Sequence, residues 1–296
     1  MIYPLFIVMN NKIYLCSFAS EDLNKSVDRF EFQAKKMNIY SGIKIFRPKN
    51  FDPQLLKRVN NIIKQKGKYL YGYAIWKSSI VKSYLNELED DAILQYSDIG
   101  CHLNYKGIIR FNDYIELTKK NKILAFEYGN PPEIFNKFNY NFQINKEYKF
   151  TKGDVFSYFN LDKNSKIYNS PHIWSGSFFV SKNEYCLKII NEWERACEFL
   201  NLLDDSPSKT PNHKDHVGMR GEQSLFSVIC KINNVKTLSA SECEWAEGKD
   251  GTGRKWDHLE NYPILAKRDL KYGYLKRFLN RQKKTFRRIK NKIFRN

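Results

Sequence analysis

The stretch Ile93–His102, ILQYSDIGCH, decides how the rest of the chain is read. It opens as a short apolar strand and ends in an aspartate, a glycine and a histidine. A carboxylate directly after a buried strand can coordinate a divalent cation, and Gly100 lets the backbone approach a ligand closely. The same aspartate can equally be the polar cap of a strand that makes an ordinary turn. A metal-binding pair of the Asp-x-Asp kind needs a second aspartate, and that position is not acidic here.

On either side of this strand, apolar runs of strand length alternate with amphipathic spacing. Lys12 to Phe18 reads as a strand, followed by polar capping residues and a helix to about Met37. Gly42 to Phe46 is a second strand, and Asp52-Pro53 opens a helix with apolar residues at Leu55, Leu56, Val59, Ile62 and Ile63. Helices are expected near Lys77 to Leu88, Asn112 to Lys119, Asp154 to Phe159, Lys182 to Leu200 and Glu222 to Lys231. Strands are expected at Ile123 to Phe126, Ile173 to Val180 and Val235 to Leu238. Alternation of this kind predicts an α/β sheet with parallel strands, whose ligands gather at the carboxyl ends of the strands. Phe18 to Asp22 and Asp98 to His102 both lie at such ends.

A chain of 296 residues with 42% hydrophobic and 15% aromatic content can bury a sizeable core, which argues against disorder. No apolar run approaches bilayer length. Ile2 to Met9 is apolar but short, without a basic lead-in, and reads as a strand rather than a signal peptide. The six cysteines form neither a CxxC pair nor a zinc-type cluster, which predicts reduced thiols in a cytoplasmic protein. P-loop, GxGxxG and GxSxG patterns are absent, so the commonest ATPase, dinucleotide-binding and hydrolase readings are not favoured.

Four further segments carry chemistry, each beside a plainer reading. In Tyr71–Lys77, three aromatics including Tyr73 precede Lys77, a point charge for a phosphate or simply the start of a packed helix. Trp174-Ser175-Gly176 sets a large ring beside small residues, as a sugar-binding strand or a bulge with a core tryptophan would. Glu222 and Gln223 open a helix, where polar groups can meet a substrate or merely cap. The histidines are scattered, which gives a zinc site little support.

Singly these signals are weak, but their order is specific. The series GYAIWK (72–77), LQYSDIGC (94–101), KFTKGDVF (149–156), SPHIWSGSFFVSKN (170–183), EW (192–193) and GEQSLFSVICK (221–231) resembles the bacterial GT-A-fold glycosyltransferases of capsular polysaccharide and lipooligosaccharide synthesis. The resemblance covers roughly Lys12 to Arg268 and implies a mixed, mostly parallel Rossmann-like sheet flanked by helices, in a domain spanning 1–266. It implies a nucleotide-sugar donor, a UDP-sugar first, and a glycan or glycolipid acceptor. It places Ser17, Phe18, Tyr73, Lys77, Asp98 and Gly100 around the nucleotide-sugar, and Trp174 and Gly176 on the acceptor side. Asp98 becomes the ligand of Mn²⁺ or Mg²⁺, with a metal-independent route as the alternative. Glu222 becomes the base of an inverting reaction, or Gln223 the group beneath the sugar in a retaining one. Two departures stand out: Glu222 replaces the usual aspartate, and Ala266-Lys267-Arg268 lacks the family's histidine, for which His258 is the available substitute.

The net charge of +18 is concentrated in residues 267–296, where 13 Lys or Arg face one acid. Apolar residues at Tyr272, Leu275, Leu279, Phe286, Ile289 and Ile293 step by three or four, save one gap filled by Gln282. That pattern predicts a basic amphipathic helix lying on an anionic membrane, here the inner face of the cytoplasmic membrane. A non-catalytic nucleic-acid or polyanion-binding protein is the alternative, but the body is only mildly basic, and nucleic acid is not the expected partner.

Overall fold

The structure is a computed structural model that describes residues 12–249, 251, 253–268 and 282. Strands β1 (Ile13–Phe18), β2 (Gly42–Phe46), β3 (Ile93–Ser97), β4 (Ile123–Glu127), β5 (Ile173–Ser181) and β6 (Lys236–Ser239) form one sheet. Its order is β2-β1-β3-β5-β4-β6. The principal helices are α1 (Asn24–Met37), α2 (Pro53–Lys66), α3 (Trp76–Glu87), α4 (Ile108–Asn121), α5 (Glu184–Ala196) and α6 (Glu222–Ile232). Local chemistry sets several boundaries. The Asp52 carboxylate accepts from the backbone N–H groups of Gln54 and Leu55, and Pro53 occupies the first helical position of α2.

Every strand expected in the described part of the chain is present, but the sheet is not wholly parallel. The pairs β1/β2, β1/β3 and β4/β6 are parallel, while β5 runs antiparallel to both β3 and β4. The reason lies in the connection. After β4 the chain makes an excursion from 128 to 172 and returns to the edge it left, where Tyr128 N–H donates to the His172 carbonyl at 2.8 Å. β5 therefore starts at the carboxyl ends of its neighbours and runs back. The result is the mixed, mostly parallel sheet flanked by helices that the resemblance implies.

Both faces of the sheet are covered. On one side Val59, Ile80, Val81, Trp193, Phe226 and Ile229 pack from α2, α3, α5 and α6. On the other, Phe30, Phe111, Tyr114 and Ile115 pack from α1 and α4. All six cysteines are buried and free, as expected of reduced thiols acting as small hydrophobes. Among the described residues no helix is long and apolar enough to cross a membrane. The expected N-terminal strand at Ile2 to Met9 and the amphipathic helix of residues 272–293 lie outside the described residues, Gln282 apart.

A buried ionic cluster ties the excursion to α6. Glu147 is fully buried and binds His172 Nδ1 at 3.0 Å, Lys231 Nζ, Thr151 and Ser227. Burial opposes its ionisation, but Lys231 and His172 outweigh burial and hold the carboxyl well below the usual range. A depressed carboxyl pKa stabilises the fold above the ordinary value of 4.5, and the contribution is lost as pH falls below it. Glu147→Gln, which leaves Lys231 without its counter-charge, is expected to cost about 3–5 kcal/mol at pH 7. In urea unfolding that gap should narrow between pH 4.5 and 3; a gap independent of pH would contradict the assignment.

Candidate active site

Three of the segments picked out in the sequence meet at the carboxyl edge of the sheet. Lys77, on the first turn of α3, points its ammonium between two carboxylates: Glu222 Oε1 at 2.7 Å and Asp98 Oδ1 at 3.2 Å. The Ser175 carbonyl and hydroxyl accept from the same ammonium at 3.3 Å each, and the Ser175 hydroxyl donates to Glu222 at 3.0 Å. Tyr96 donates its hydroxyl to Asp98 Oδ1 at 2.7 Å, and the Lys77 ammonium lies 5.1 Å from the Tyr96 ring. Ser175 and Tyr96 were not singled out in the sequence. Their signal is the two-residue period of a strand, which puts Tyr96 beside Asp98 once that aspartate is in hand.

The three charges differ in access. The side chains of Lys77 and Glu222 are 4% exposed, that of Asp98 is 40% exposed. Burial disfavours the Lys77 charge, yet Asp98 and Glu222 more than compensate and raise its pKa above the ordinary lysine value. Burial pushes the Glu222 carboxyl up; Lys77 opposes the shift and Asp98 adds to it. Lys77 has four acceptors for three hydrogens, so it orients the two carboxylates rather than meeting a phosphate directly. Asp98 is the member of the triad that faces solvent. Glu222 Oε2 and Gln223 Nε2 are buried without a hydrogen-bond partner among the described residues.

The loop carrying Asp98 is fixed from several sides. Asp98 N–H donates to the Gly176 carbonyl at 2.8 Å, and the Arg29 guanidinium donates to the carbonyls of Ile99 and Cys101 at 2.7 Å each. Gly176 is required by its neighbour, because a Cβ there would fall 2.2 Å from Cε2 of Trp174. Trp174 is 7% exposed and packs toward Phe126, so its ring is a core element and not an open sugar platform. Gly100 sits under Arg268, whose Cγ would lie 3.3 Å from an added Cβ.

The remaining expected residues separate. Ser17 is buried with its hydroxyl unpartnered among the described residues. Phe18 stacks at 3.9 Å on Trp76 and at 5.3 Å on Phe51, so its faces are taken by the core. Tyr73 stands in a run of left-handed residues, Leu70 to Ala74, and its carbonyl lies 3.7 Å from where a Gly221 Cβ would be. Its backbone therefore lies near the start of α6. The rings of Phe135, Phe138, Tyr140 and Phe142 surround His258, whose Nε2 is engaged with the Glu244 carbonyl at 3.1 Å and whose Nδ1 is buried without a hydrogen-bond partner among the described residues.

The donor set does not fit a metal ion held by the protein alone. Asp98 Oδ1 is already engaged, and among the described residues no group of three His, Cys, Asp or Glu side chains is arranged for a metal.

Lys77→Met should leave two carboxylates facing each other and cost about 3–5 kcal/mol in urea unfolding at pH 8. Because the Glu222 pKa is raised, its protonation as pH falls removes the uncompensated charge. The cost should therefore shrink by pH 5; a constant cost would show that the pair is not what Lys77 stabilises.

No protein-family model matches the chain, and no curated protein matches it. Solved structures do. A glycosyltransferase involved in glycosylation of the major capsid of PBCV-1 aligns over 86% of this chain and 91% of its own, at 10% identity and TM-score 0.45. Mouse xyloside xylosyltransferase 1 aligns over 79% and 87%, at 8% identity and TM-score 0.38. The galactosyltransferase LgtC, solved with donor and acceptor sugar analogues, aligns over 78% and 75%, at 8% identity and TM-score 0.38. Likeness of this degree carries no residue role across to this chain.

Proposed function

We propose that the chain is a glycosyltransferase that moves a sugar from a nucleotide-sugar, a UDP-sugar first, to a glycan acceptor of a bacterial capsule or lipooligosaccharide. The observation that carries the reading is the convergence of Lys77, Asp98 and Glu222. They come from three segments whose order suggested the activity, and they meet at the sheet edge where α/β folds bind ligands.

In this reading the exposed carboxylate of Asp98 meets the donor and Lys77 holds it in place. Transfer breaks the bond from the anomeric carbon to the diphosphate oxygen and forms one to an acceptor hydroxyl oxygen. Glu222, with a raised pKa and an unengaged Oε2, is the candidate to take the acceptor proton in an inverting route. Gln223, with an unengaged amide, is the candidate to sit beneath the sugar in a retaining one. Mn²⁺ or Mg²⁺, if used, would supply Lewis-acid neutralisation of the diphosphate, and Asp98 is the residue that would hold it.

A thermal-shift panel of UDP-, GDP- and CMP-sugars, each with and without Mn²⁺, tests the proposal. One nucleotide class should raise the melting temperature of the wild type, and Asp98→Ala should keep the fold while losing both that shift and transfer. Absence of any shift across the panel sinks the reading.

We further propose that residues 267–296 form a unit distinct from the domain spanning 1–266 and attach the enzyme to an anionic membrane, the inner face of the cytoplasmic membrane. The concentration of charge in that segment supports it. The full chain should sediment with vesicles containing anionic phospholipid, and replacing Lys283, Lys284, Arg287 and Arg288 with glutamine should release most of it. Equal sedimentation of the two proteins would rule the tail out as the anchor.

A further inference from the structure

A second charged group lies along the same edge of the sheet. Ala266 N–H donates to the Cys243 carbonyl at 2.8 Å, which joins the chain before Arg268 to the segment that carries Glu244 and Trp245. There Tyr128 donates its hydroxyl to Glu244 at 2.9 Å. The Arg220 guanidinium lies 5.9 Å from the Tyr128 ring and 4.1 Å from the Phe150 ring. The Arg254 guanidinium stacks 4.3 Å from the Trp245 ring, and Arg268 lies over Gly100. Among the described residues none of the three guanidiniums is ion-paired. Arg220 thus faces the ring whose hydroxyl engages Glu244, and Arg254 faces the ring of the next residue, Trp245; burial pushes the Glu244 carboxyl up, while Arg220, Arg268 and Arg254 oppose the shift.

Like charges gathered around a single carboxylate repel, and a fold ordinarily disperses or pairs them. Here the Arg220 and Arg254 guanidiniums lie over aromatic rings, and a guanidinium suits a planar, bidentate partner. The one carboxylate among them is already engaged by Tyr128, and three positive charges outnumber it. We propose that Arg220, Arg254 and Arg268 form an oxyanion site that takes a phosphate or carboxylate group. Two sources share this chemistry: the diphosphate of a nucleotide, or an acidic substituent on an acceptor glycan. The site does not depend on sugar transfer, because it requires only that an anion bind.

The test is calorimetric titration of the full-length protein with inorganic pyrophosphate in EDTA, followed by UDP, a sugar phosphate and a uronic acid. Arg220→Gln, Arg254→Gln and Arg268→Gln should each weaken anion binding on the order of tenfold, and added salt should weaken it in the wild type. Lys119→Gln, in the last turn of α4, should change nothing. Melting temperatures report whether each variant is folded, and Arg254, the exposed member of the group, is the first variant to make. Joint loss of pyrophosphate and UDP binding assigns the site to the nucleotide. Loss of sugar phosphate or uronic acid binding with UDP unchanged assigns it to the acceptor. Anion affinity identical in wild type and all three variants, or no binding of any of the four ligands at millimolar concentration, overturns the proposal. A nucleotide-sugar shift that survives in the arginine variants would leave the transfer reading standing while this one falls.

Discussion

A single ammonium, that of Lys77, is the group on which the arrangement at the sheet edge depends. It is buried between Asp98 and Glu222, and neither carboxylate has another cation within ion-pairing distance among the described residues. Two acids converging on one point repel each other. With the lysine between them the geometry becomes stable only in one form: α3, the loop after β3 and the first turn of α6 must close on the same point. Burying such a triad is poor value for stability alone, because desolvation opposes the Coulombic gain. What it secures is position. An exposed carboxylate is held at a fixed distance from a buried one whose second oxygen has no partner.

The topology explains why these elements can meet at all. β1 and β3 deliver their carboxyl ends to one edge, and the reversed strand β5 delivers its beginning there. Ser175 and Gly176 thus face the Asp98 loop although they lie far from it in the chain. The pairing of His102–Leu103 with Ile264–Leu265 brings the end of the described core to the same loop and carries Arg268 over Gly100.

Much of this was legible in the sequence, for identifiable reasons. Gly42 to Phe46 was read with the boundaries the structure shows, because an apolar run between turn residues admits few alternatives. Asp98, Lys77 and Glu222 were legible as separate polar residues placed at element ends, where side chains meet clefts. Their ion pairing was not, since it depends on the distance between segments. The direction of β5 was hidden because alternation of strands and helices specifies parallel pairing by default, and only the return of the excursion to its own edge breaks that default. Trp174 misled in another way. A ring next to a glycine looks like an open platform, but the glycine is there so that the ring can fold over it. Arg220 and Arg254 carried no signal, because an isolated arginine in a polar loop resembles any solvated charge.

The excursion between β4 and β5 is closed by contacts among its own ends. Tyr128 N–H reaches His172, His172 N–H reaches Asn145, and Asn145 N–H returns to Tyr128. This three-membered clasp holds the two ends in register, while Glu147 separately ties the excursion to α6. The cost of closing a loop grows only slowly with its length. The exposed turn around 162–166, outside both the clasp and the Glu147 cluster, can therefore change in length while β4 and β5 keep their register.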